Sequence, residues 1–386
     1  MTPPAGEGPA VGSLDVPVRG PGARTDLAAQ WLGERELDAL LVTHPVNLRY
    51  LAGFTGSNGL AVIGEPDLGL RLFLTDFRYV TQAAEQVDAS YEREVASNEL
   101  LEGLAGALVP ERLGRPRLRL GFDDAHLSVK SYERLRGLVA EGVEMVPAGG
   151  LVERLRAVKD PDEVARIRAA AALADEVLGW VVERSLVGRT ERDVAIELEH
   201  ELRLRGATAP SFPSIVAAGE HSALPHAEPR DVAIAAGTFV TIDMGALLDG
   251  YCSDVTRTFA TGRLDADARA VYDLVLEAQR TGLSALRPGP TGREVDAAAR
   301  EVIAAAGHGE HYGHGLGHGV GLEVHEGPRL SRTGATVSLE AGHVVTVEPG
   351  VYLPGRFGVR IEDLVVVVPG GNEVLSGFPK ELTEVG

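Results

Sequence analysis

The chain has 386 residues, 44% of them hydrophobic, and a formal net charge of −19 at pH 7. Its length exceeds what one hydrophobic core usually organises, so two domains are expected. The acidic balance argues against a nucleic-acid surface, because phosphate binding needs clustered Lys and Arg. The sequence has neither an apolar run of about 18 residues to span a membrane nor a secretory pattern. With Cys252 as its single cysteine, it is predicted to be cytoplasmic and without an intrachain disulfide.

The first part of the chain predicts a tail followed by an α/β domain. Residues 1–24 are rich in Gly and Pro, which is typical of a disordered segment. Residues 25–154 alternate short apolar runs with helical patterns, as expected for a mixed or parallel sheet. The predicted strands are 38–43, 60–63, 71–75 and 117–121, and the predicted helices are 26–33, 80–87 and 129–139. No reaction centre is expected in this domain.

Residues 155–386 predict a second, α+β domain with an internal duplication. Asp160 caps a long helix, with Pro161 at its first position and Glu163 in a capping-box arrangement. Two further helices begin after Thr190 and Thr291, each with an acid three residues later and a Gly at its end. A hairpin follows each of these two helices, so the domain is expected to consist of two related halves with a site between them.

The two hairpins each carry one acid on either arm. The first runs over 238–245 and 252–259, the second over 343–350 and 358–367. Folding each about its turn brings Asp243 near Asp254 and Glu348 near Glu362, because cross-strand neighbours have Cβ atoms about 4.5–8 Å apart. Four buried carboxylates need a counter-ion. A metal would supply it, although any single acid could instead pair with Arg257 or Arg360.

A glycine-rich segment at 313–326 contains three histidines, His314, His318 and His325. Its glycine content argues against a helix, so His314 and His318 are not the helical pair of a zinc protease. The segment is not a phosphate loop either, since no Gly-Lys-Ser/Thr follows. One of these histidines is expected to complete the metal shell.

Taken together, these motifs resemble the pita-bread metallopeptidases, in particular the branch containing prolidase and aminopeptidase P. The resemblance rests on Asp243 with Asp254, the His-Gly-Leu-Gly-His segment ending at His318, the sequence Glu348-Pro-Gly and the segment 359–363. The resemblance covers residues 155–386. The preceding domain is also similar to the N-terminal domain of that branch, through the segment 47–54. The implied fold is an α/β N-terminal domain plus a duplicated, pseudo-two-fold α+β catalytic domain.

The resemblance implies a dinuclear metal site. Asp243 would bind one metal ion, His318 and Glu348 the other, and Asp254 and Glu362 would bridge both. Four carboxylates and one imidazole form a hard ligand set, which favours Mn²⁺ or Co²⁺. Mn²⁺ is the metal expected, with Co²⁺ and Zn²⁺ as alternatives.

The resemblance also implies catalytic roles. Glu348 would act as general base, and His226 and His325 would contact the oxyanion and the substrate proline. Arg360 would orient the site or meet a substrate carboxylate. His314 is expected to be a hydrogen-bond donor rather than a ligand. Four other histidines of this domain are predicted to lie on the surface or in loops: His221, His308, His311 and His343.

The function implied is hydrolysis of the bond between an N-terminal residue and proline, in dipeptides, by a homodimer. The substrates would be proline-containing dipeptides or short peptides, with neither nucleic acid nor membrane as a partner. Aminopeptidase P, acting on longer Xaa-Pro-Xaa peptides, is the alternative. A non-catalytic binding protein and a metal-free amidinohydrolase on the same fold remain as further alternatives, but neither needs all five candidate ligands.

Overall fold

The computed structural model describes residues 14, 16–110, 112–334 and 337–385. The chain forms two compact units, one made of Val18–Arg156 and the other containing Ala157 and the residues that follow it. The structure confirms the fold class expected from the sequence, which is an α/β unit followed by an α+β unit. Within the described residues, the longest helices are too polar to cross a bilayer.

The N-terminal unit is a six-stranded mixed sheet with helices. Its sheet order is β4-β3-β2-β1-β5-β6, in which β2 alone runs against the other five strands. Its elements are α1 (Pro21–Leu32), β1 (Ala39–Val42), α2 (Pro45–Ala52), β2 (Gly59–Gly64), β3 (Arg71–Thr75), α3 (Val80–Gln86), β4 (Glu92–Val95), α4 (Leu100–Ala107), β5 (Leu118–Phe122), α5 (Val129–Leu138), β6 (Val143–Pro147) and α6 (Leu151–Ala157).

The first helix begins earlier than the sequence predicts. Helix α1 begins at Pro21, where a proline fits the first helical position, and not at Asp26. Residues 21–24 are therefore helical and do not belong to a disordered tail; residues 1–13 and 15 of that predicted tail lie outside the described residues. Strand β4 was not predicted, because its pattern of charged and exposed residues (Glu92–Val95) lacks an apolar signal.

The C-terminal unit opens with two capped helices and contains two more. Its helices are α7 (Pro161–Val182), α8 (Glu191–Leu204), α9 (Ala266–Ala285) and α10 (Gly292–Ala305). The capping box predicted at Asp160 and Glu163 is present. Thr190 caps α8 by accepting the Asp193 N–H, and a second capping box starts α10 at Thr291. These local signals fix where the helices start, since each cap satisfies otherwise unpaired N–H groups.

The strands of the C-terminal unit repeat one arrangement. They are β7 (Ala209–Pro210), β8 (Ile215–Ala218), β9 (Phe239–Met244), β10 (Ala246–Leu248), β11 (Tyr251–Cys252), β12 (Val255–Ala260), β13 (Gly317–Gly319), β14 (Glu326–Leu330), β15 (Val344–Val347), β16 (Gly350–Leu353), β17 (Phe357–Arg360), β18 (Asp363–Val368) and β19 (Gly371–Val374). In the first half β9 lies between β8 and β12; in the second, β15 lies between β13 and β18. Two helices precede each set, which agrees with the expected duplication.

Both predicted hairpins are confirmed. Strand β9 pairs antiparallel with β12, and β15 pairs antiparallel with β18. A smaller hairpin extends each one: β10 with β11 and β16 with β17. The turn between β10 and β11 places Asp249 and Gly250 at positive φ, 48° and 81°, the conformation that a two-residue hairpin loop requires.

Candidate metal centre

The four predicted acids lie where the paired strands of each half end or begin. Asp243 is next to last in β9, and Glu348 directly follows β15. Asp254 and Glu362 directly precede β12 and β18. Each hairpin therefore contributes one acid from its outgoing arm and one from its returning arm.

The two hairpins meet through side chains at these positions. The Thr256 hydroxyl donates to Glu362 Oε2 over 2.7 Å, and the Glu362 N–H donates to the Thr256 carbonyl over 3.1 Å. Thr256 is the residue opposite Asp243 in the β9–β12 register. These contacts bring the acids of one half next to those of the other, although Thr256 and Glu362 are 106 residues apart in sequence.

His318 faces this acidic group from the middle residue of β13. Its Nε2 lies 3.4 Å from Glu348 Oε1 and 3.7 Å from Asp254 Oδ2. Its Nδ1 lies 3.1 Å from the Gly319 carbonyl; donation there would leave the Nε2 lone pair directed at the acids. Ligand atoms of Asp254, His318 and Glu362 all lie within 4.8 Å of one another, the spacing of a group that can share a metal ion.

Glycines on both sides of His318 let the neighbouring backbone approach closely. A Cβ at Gly317 would lie 2.0 Å from the Thr346 carbonyl oxygen, and one at Gly319 would lie 2.1 Å from the Gly327 carbonyl oxygen. A side chain at either position would push β13 away from its neighbours. The glycine content of the segment is thus a steric requirement for placing His318.

The buried acids repel one another. Burial raises the pKa of Asp254 well above its usual range, and the negative charges of Glu362 and Asp243 raise it further. Burial and the charges of Glu348 and Asp243 likewise raise the pKa of Glu362 well above its usual range. Burial also raises the pKa of Glu348. Without a cation, these surroundings therefore favour the protonated form of the three acids over the ionised form.

Arg360 is committed to partners within the protein. Its guanidinium donates to Asp243 Oδ2 over 2.6 Å, to the Tyr352 hydroxyl over 2.9 Å and to the Pro225 carbonyl over 3.1 Å. Its Nε also donates to the Thr256 hydroxyl over 3.1 Å. With its side chain 4% exposed, Arg360 orients Asp243 rather than offering a free guanidinium to a substrate carboxylate.

Unlike Asp243 Oδ2, which accepts a hydrogen bond from Arg360, the other carboxylate oxygen of Asp243 is unpaired in the described part of the chain. Asp243 Oδ1 is buried and makes no hydrogen bond with any described residue. A buried carboxylate oxygen without a donor is costly. The unpaired oxygen, beside three other acids and the Nε2 of His318, is what a cation-binding site requires, and the donor set therefore fits a divalent metal.

The remaining predicted histidines lie at the edge of this group. The ring of His325 is 4.3 Å from that of His318, and burial followed by the charge of His318 lowers the pKa of His325. His226 is exposed and close enough to His325 to lower its pKa further. His314 contacts the Gly315 carbonyl and the Tyr352 hydroxyl, at 2.7 and 2.9 Å, which places it beside the ligand group as a hydrogen-bonding residue.

Several residues of the site were missed by the sequence analysis. The Tyr352 hydroxyl joins Arg360 to His314, and the Thr346 hydroxyl donates to Glu348 Oε1 over 3.0 Å while accepting the His318 N–H. Arg329 lies directly opposite His318 in the β13–β14 register and is exposed. Strand periodicity could have found Thr346, which is two residues before Glu348, but Arg329 depends on a register shift at a bulge.

Other predictions about single residues need correction. Arg257 does not pair with any of the four acids through their side chains; it bonds Asp363 Oδ1 over 2.8 Å. His221 and His343 are not surface residues, since they are 8% and 4% exposed. His221 Nδ1 contacts the buried Glu191 carboxylate at 2.9 Å, and His343 accepts the Glu340 N–H.

Comparison with known proteins places this centre in a family. Residues 165–369 match metallopeptidase family M24, and residues 24–158 match the creatinase/prolidase N-terminal domain. The chain is 34% identical to the Xaa-Pro dipeptidase of Pyrococcus furiosus over 93% of its own length and 99% of the relative.

Two solved structures extend the comparison. An Xaa-Pro dipeptidase from Bacillus anthracis superposes with a TM-score of 0.89 at 40% identity, covering 94% of this chain and 99% of that one. The X-Pro aminopeptidase of Thermotoga maritima superposes with a TM-score of 0.82 at 34% identity, covering 91% and 99%. With its duplicated hairpins, its cluster of acids and these matches along nearly its whole length, the chain belongs to metallopeptidase family M24.

Proposed function

We propose that this chain is an Xaa-Pro dipeptidase that binds two divalent metal ions through Asp243, Asp254, His318, Glu348 and Glu362. The observation that carries the proposal is the convergence of four carboxyl groups from two separate hairpins with the Nε2 of His318 from β13. Asp254 and Glu362 are buried, and Asp243 and Glu348 are partly buried. The unpaired Oδ1 of Asp243 supports it. The similarity to an Xaa-Pro dipeptidase over nearly the whole chain supports the substrate.

The ligand set also supports a choice of metal. Carboxylate oxygens dominate it and no thiolate is present, because Cys252 contacts the Leu322 carbonyl instead. Such hard donors suit Mn²⁺ or Co²⁺, and Mn²⁺ is the proposed native metal. Zn²⁺ would bind through the same oxygens and His318 when supplied in excess.

The chemistry divides between the metal ions and the chain. Bound divalent ions lower the pKa of water and polarise a carbonyl group. Glu348 would take the proton of the attacking water on its carboxylate and deliver it to the proline nitrogen, which has no N–H of its own. The Thr346 hydroxyl holds Glu348 Oε1 for this transfer. His325 and His226, at the edge of the site, would donate hydrogen bonds to the substrate.

Two arginines then have separate tasks. Arg360 fixes the Asp243 carboxylate through its Nη2 and is itself held by Tyr352 and the Pro225 carbonyl. Arg329 lies opposite His318 with its side chain exposed. A dipeptide carries its carboxylate immediately after the scissile bond, so we assign the recognition of that carboxylate to Arg329.

The proposal is tested with a series of substrates of different lengths. The Mn²⁺-loaded full chain is incubated with an Xaa-Pro dipeptide, the matching Xaa-Pro-Xaa tripeptide and an Xaa-Ala dipeptide as control. Release of the first residue from the Xaa-Pro dipeptide is expected, with little from the other two. Release from neither proline peptide would contradict the proposal.

A second candidate is an Xaa-Pro aminopeptidase. The 34% identity to the Thermotoga maritima X-Pro aminopeptidase favours it as the alternative. Faster cleavage of the tripeptide than of the dipeptide would identify this activity. Stoichiometric metal binding without hydrolysis of either peptide would instead point to a non-catalytic binding protein.

The proposal also includes the domain boundary, the oligomeric state and the cellular location. We take residues 25–154 and 155–386 as the N-terminal and catalytic domains, a boundary that the change of compact unit after Arg156 supports. A homodimer and a cytoplasmic location are proposed as well; the single, buried Cys252 agrees with a reducing compartment. Light scattering of the purified chain tests the dimer, since a mass near that of one chain would exclude it.

A further inference from the structure

A second group of side chains with metal-binding chemistry lies within the N-terminal unit. Ligand atoms of His44, His126 and Glu153 all lie within 4.8 Å of one another. The two imidazole rings stack with their centroids 3.5 Å apart and their planes 4° from parallel. His126 Nε2 lies 3.9 Å from Glu153 Oε1. No local sequence pattern indicates this group, because its members are far apart along the chain.

The sheet brings the two histidines together. His44 directly precedes α2, two residues after the end of β1, and His126 follows the end of β5 by four residues. Strands β1 and β5 are parallel neighbours, so their carboxyl ends lie at the same edge of the sheet. In open α/β sheets, this edge is where ligands usually bind.

A buried hydrogen-bond network fixes the backbone that carries these residues. Asp123 Oδ2 accepts the His44 N–H over 3.1 Å, and Asn47 Nδ2 donates to Glu153 Oε1 over 2.8 Å. Arg156 in turn donates to Asn47 Oδ1 over 2.9 Å. Asp123, Asn47 and Arg156 are 6%, 0% and 2% exposed. Such support is what holds ligands at a metal site in place.

The ligand side chains themselves remain accessible. His126 and Glu153 are 31% and 36% exposed. His126 also lines a crevice of about 880 Å³ at the same edge of the sheet. An ion could therefore enter from solvent, and water could complete its coordination.

We propose that His44, His126 and Glu153 form a binding site for one Zn²⁺ or a similar late first-row divalent ion. Two imidazoles and one carboxylate are softer donors than the four carboxylates of the M24 centre, and they favour Zn²⁺, Ni²⁺ or Cu²⁺ over Mn²⁺. Zn–N bonds of about 2.0–2.1 Å place neighbouring ligand atoms about 3.3 Å apart in a tetrahedral site. Binding requires rotation of these partly exposed side chains, which closes the His126–Glu153 gap from 3.9 Å. The same rotation must tilt the two stacked rings, because the in-plane lone pairs of parallel imidazoles do not converge on one ion.

Zinc content measures this site separately from the M24 centre. The Mn²⁺-loaded full chain is incubated with excess ZnCl₂, desalted and analysed for metals, alongside H126Q and the control H200Q. His200 is an exposed histidine of α8. The wild type and H200Q are expected to hold one zinc ion per chain more than H126Q, because zinc that exchanges into the M24 centre is common to all three. Equal zinc in the wild type and H126Q, or an equal loss in H200Q, would overturn the proposal.

A spectroscopic measurement guards against a folding defect in the variant. One equivalent of Cu²⁺ added to the Mn²⁺-loaded wild type should give an electron paramagnetic resonance signal with coupling to two imidazole nitrogens. H44Q, H126Q or both changes should reduce or remove that coupling, while E153Q should keep both nitrogens and weaken binding. A wild-type signal that is unaffected by H44Q and H126Q would show that the stacked histidines do not bind metal.

Discussion

Replacing Gly317 by alanine should disable the M24 centre without touching any ligand. The added Cβ would lie 2.0 Å from the Thr346 carbonyl oxygen, whereas ordinary contacts begin at 3.4 Å. Strands β13 and β15 must therefore separate by about 1.4 Å. Neither the new Cβ nor the Thr346 carbonyl oxygen can move away by side-chain rotation, because both are fixed by the backbone.

The consequence follows from what the two strands carry. The Thr346 hydroxyl accepts the His318 N–H and donates to Glu348 Oε1, so the separation moves His318 away from Glu348. A displacement of about 1 Å at a catalytic group can cost about 100-fold in rate, or about 2.7 kcal/mol. We expect G317A to lose about that much kcat/KM on an Xaa-Pro dipeptide and to hold less Mn²⁺ per chain.

The control is another glycine of the same segment. Gly313 is exposed, does not have a positive φ, and an added Cβ there would meet nothing within 4 Å. G313A should keep its activity within about threefold of the wild type, a difference below 1 kcal/mol. Circular dichroism and thermal unfolding of both variants separate a displaced ligand from a failure to fold. Wild-type activity in G317A, or an equal loss in G313A, would refute the steric argument.

Three further predictions concern charge. Burial lowers the pKa of His343 to about 4, so protonation of this residue favours the unfolded state. The free energy of unfolding should therefore fall by up to about 3 kcal/mol as the pH is lowered from 6.5 to 4. Urea unfolding of H343N should show a smaller fall over the same pH range. D254N should raise the thermal stability of the metal-free protein, because it relieves repulsion among the acids. Excess Mn²⁺ at 100 times Kd stabilises the wild type by about 2.7 kcal/mol but should stabilise D254N little. A melting temperature of metal-free D254N below that of the metal-free wild type would contradict the repulsion. R329Q should raise KM for an Xaa-Pro dipeptide about tenfold or more but leave a C-terminally amidated dipeptide unaffected, and equal effects on both would remove Arg329 from carboxylate recognition.

The elements that could be predicted from sequence are those with strong local signals. Asp160, Thr190 and Thr291 begin helices because their side chains satisfy free N–H groups a few residues away, a relation that the sequence shows directly. The two hairpins followed from their apolar strands and intervening turns. Strand β4, charged and exposed, has no such pattern and was missed.

For the candidate metal centre, too, only the contacts with a local sequence signal could be predicted. The acids could be paired from the hairpin spacing, because residues on the two arms of one hairpin are related by its register. The partner of Arg360 could not be chosen, since its contact with Asp243 joins strands from different halves, 117 residues apart. The His44–His126 pair was missed for the same physical reason: parallel strands bring together residues that share no local pattern.

The division of the acids between two hairpins has a consequence for how such a centre can be assembled. One half alone supplies two carboxylates, Asp243 with Asp254 or Glu348 with Glu362, and the contact of Thr256 with Glu362 joins the two. A single half-unit would therefore hold an incomplete shell, and two copies meeting face to face would bring four carboxylates together. Within one chain the two halves stay at high effective concentration, so each half can contribute different ligands, and His318 comes from the second half.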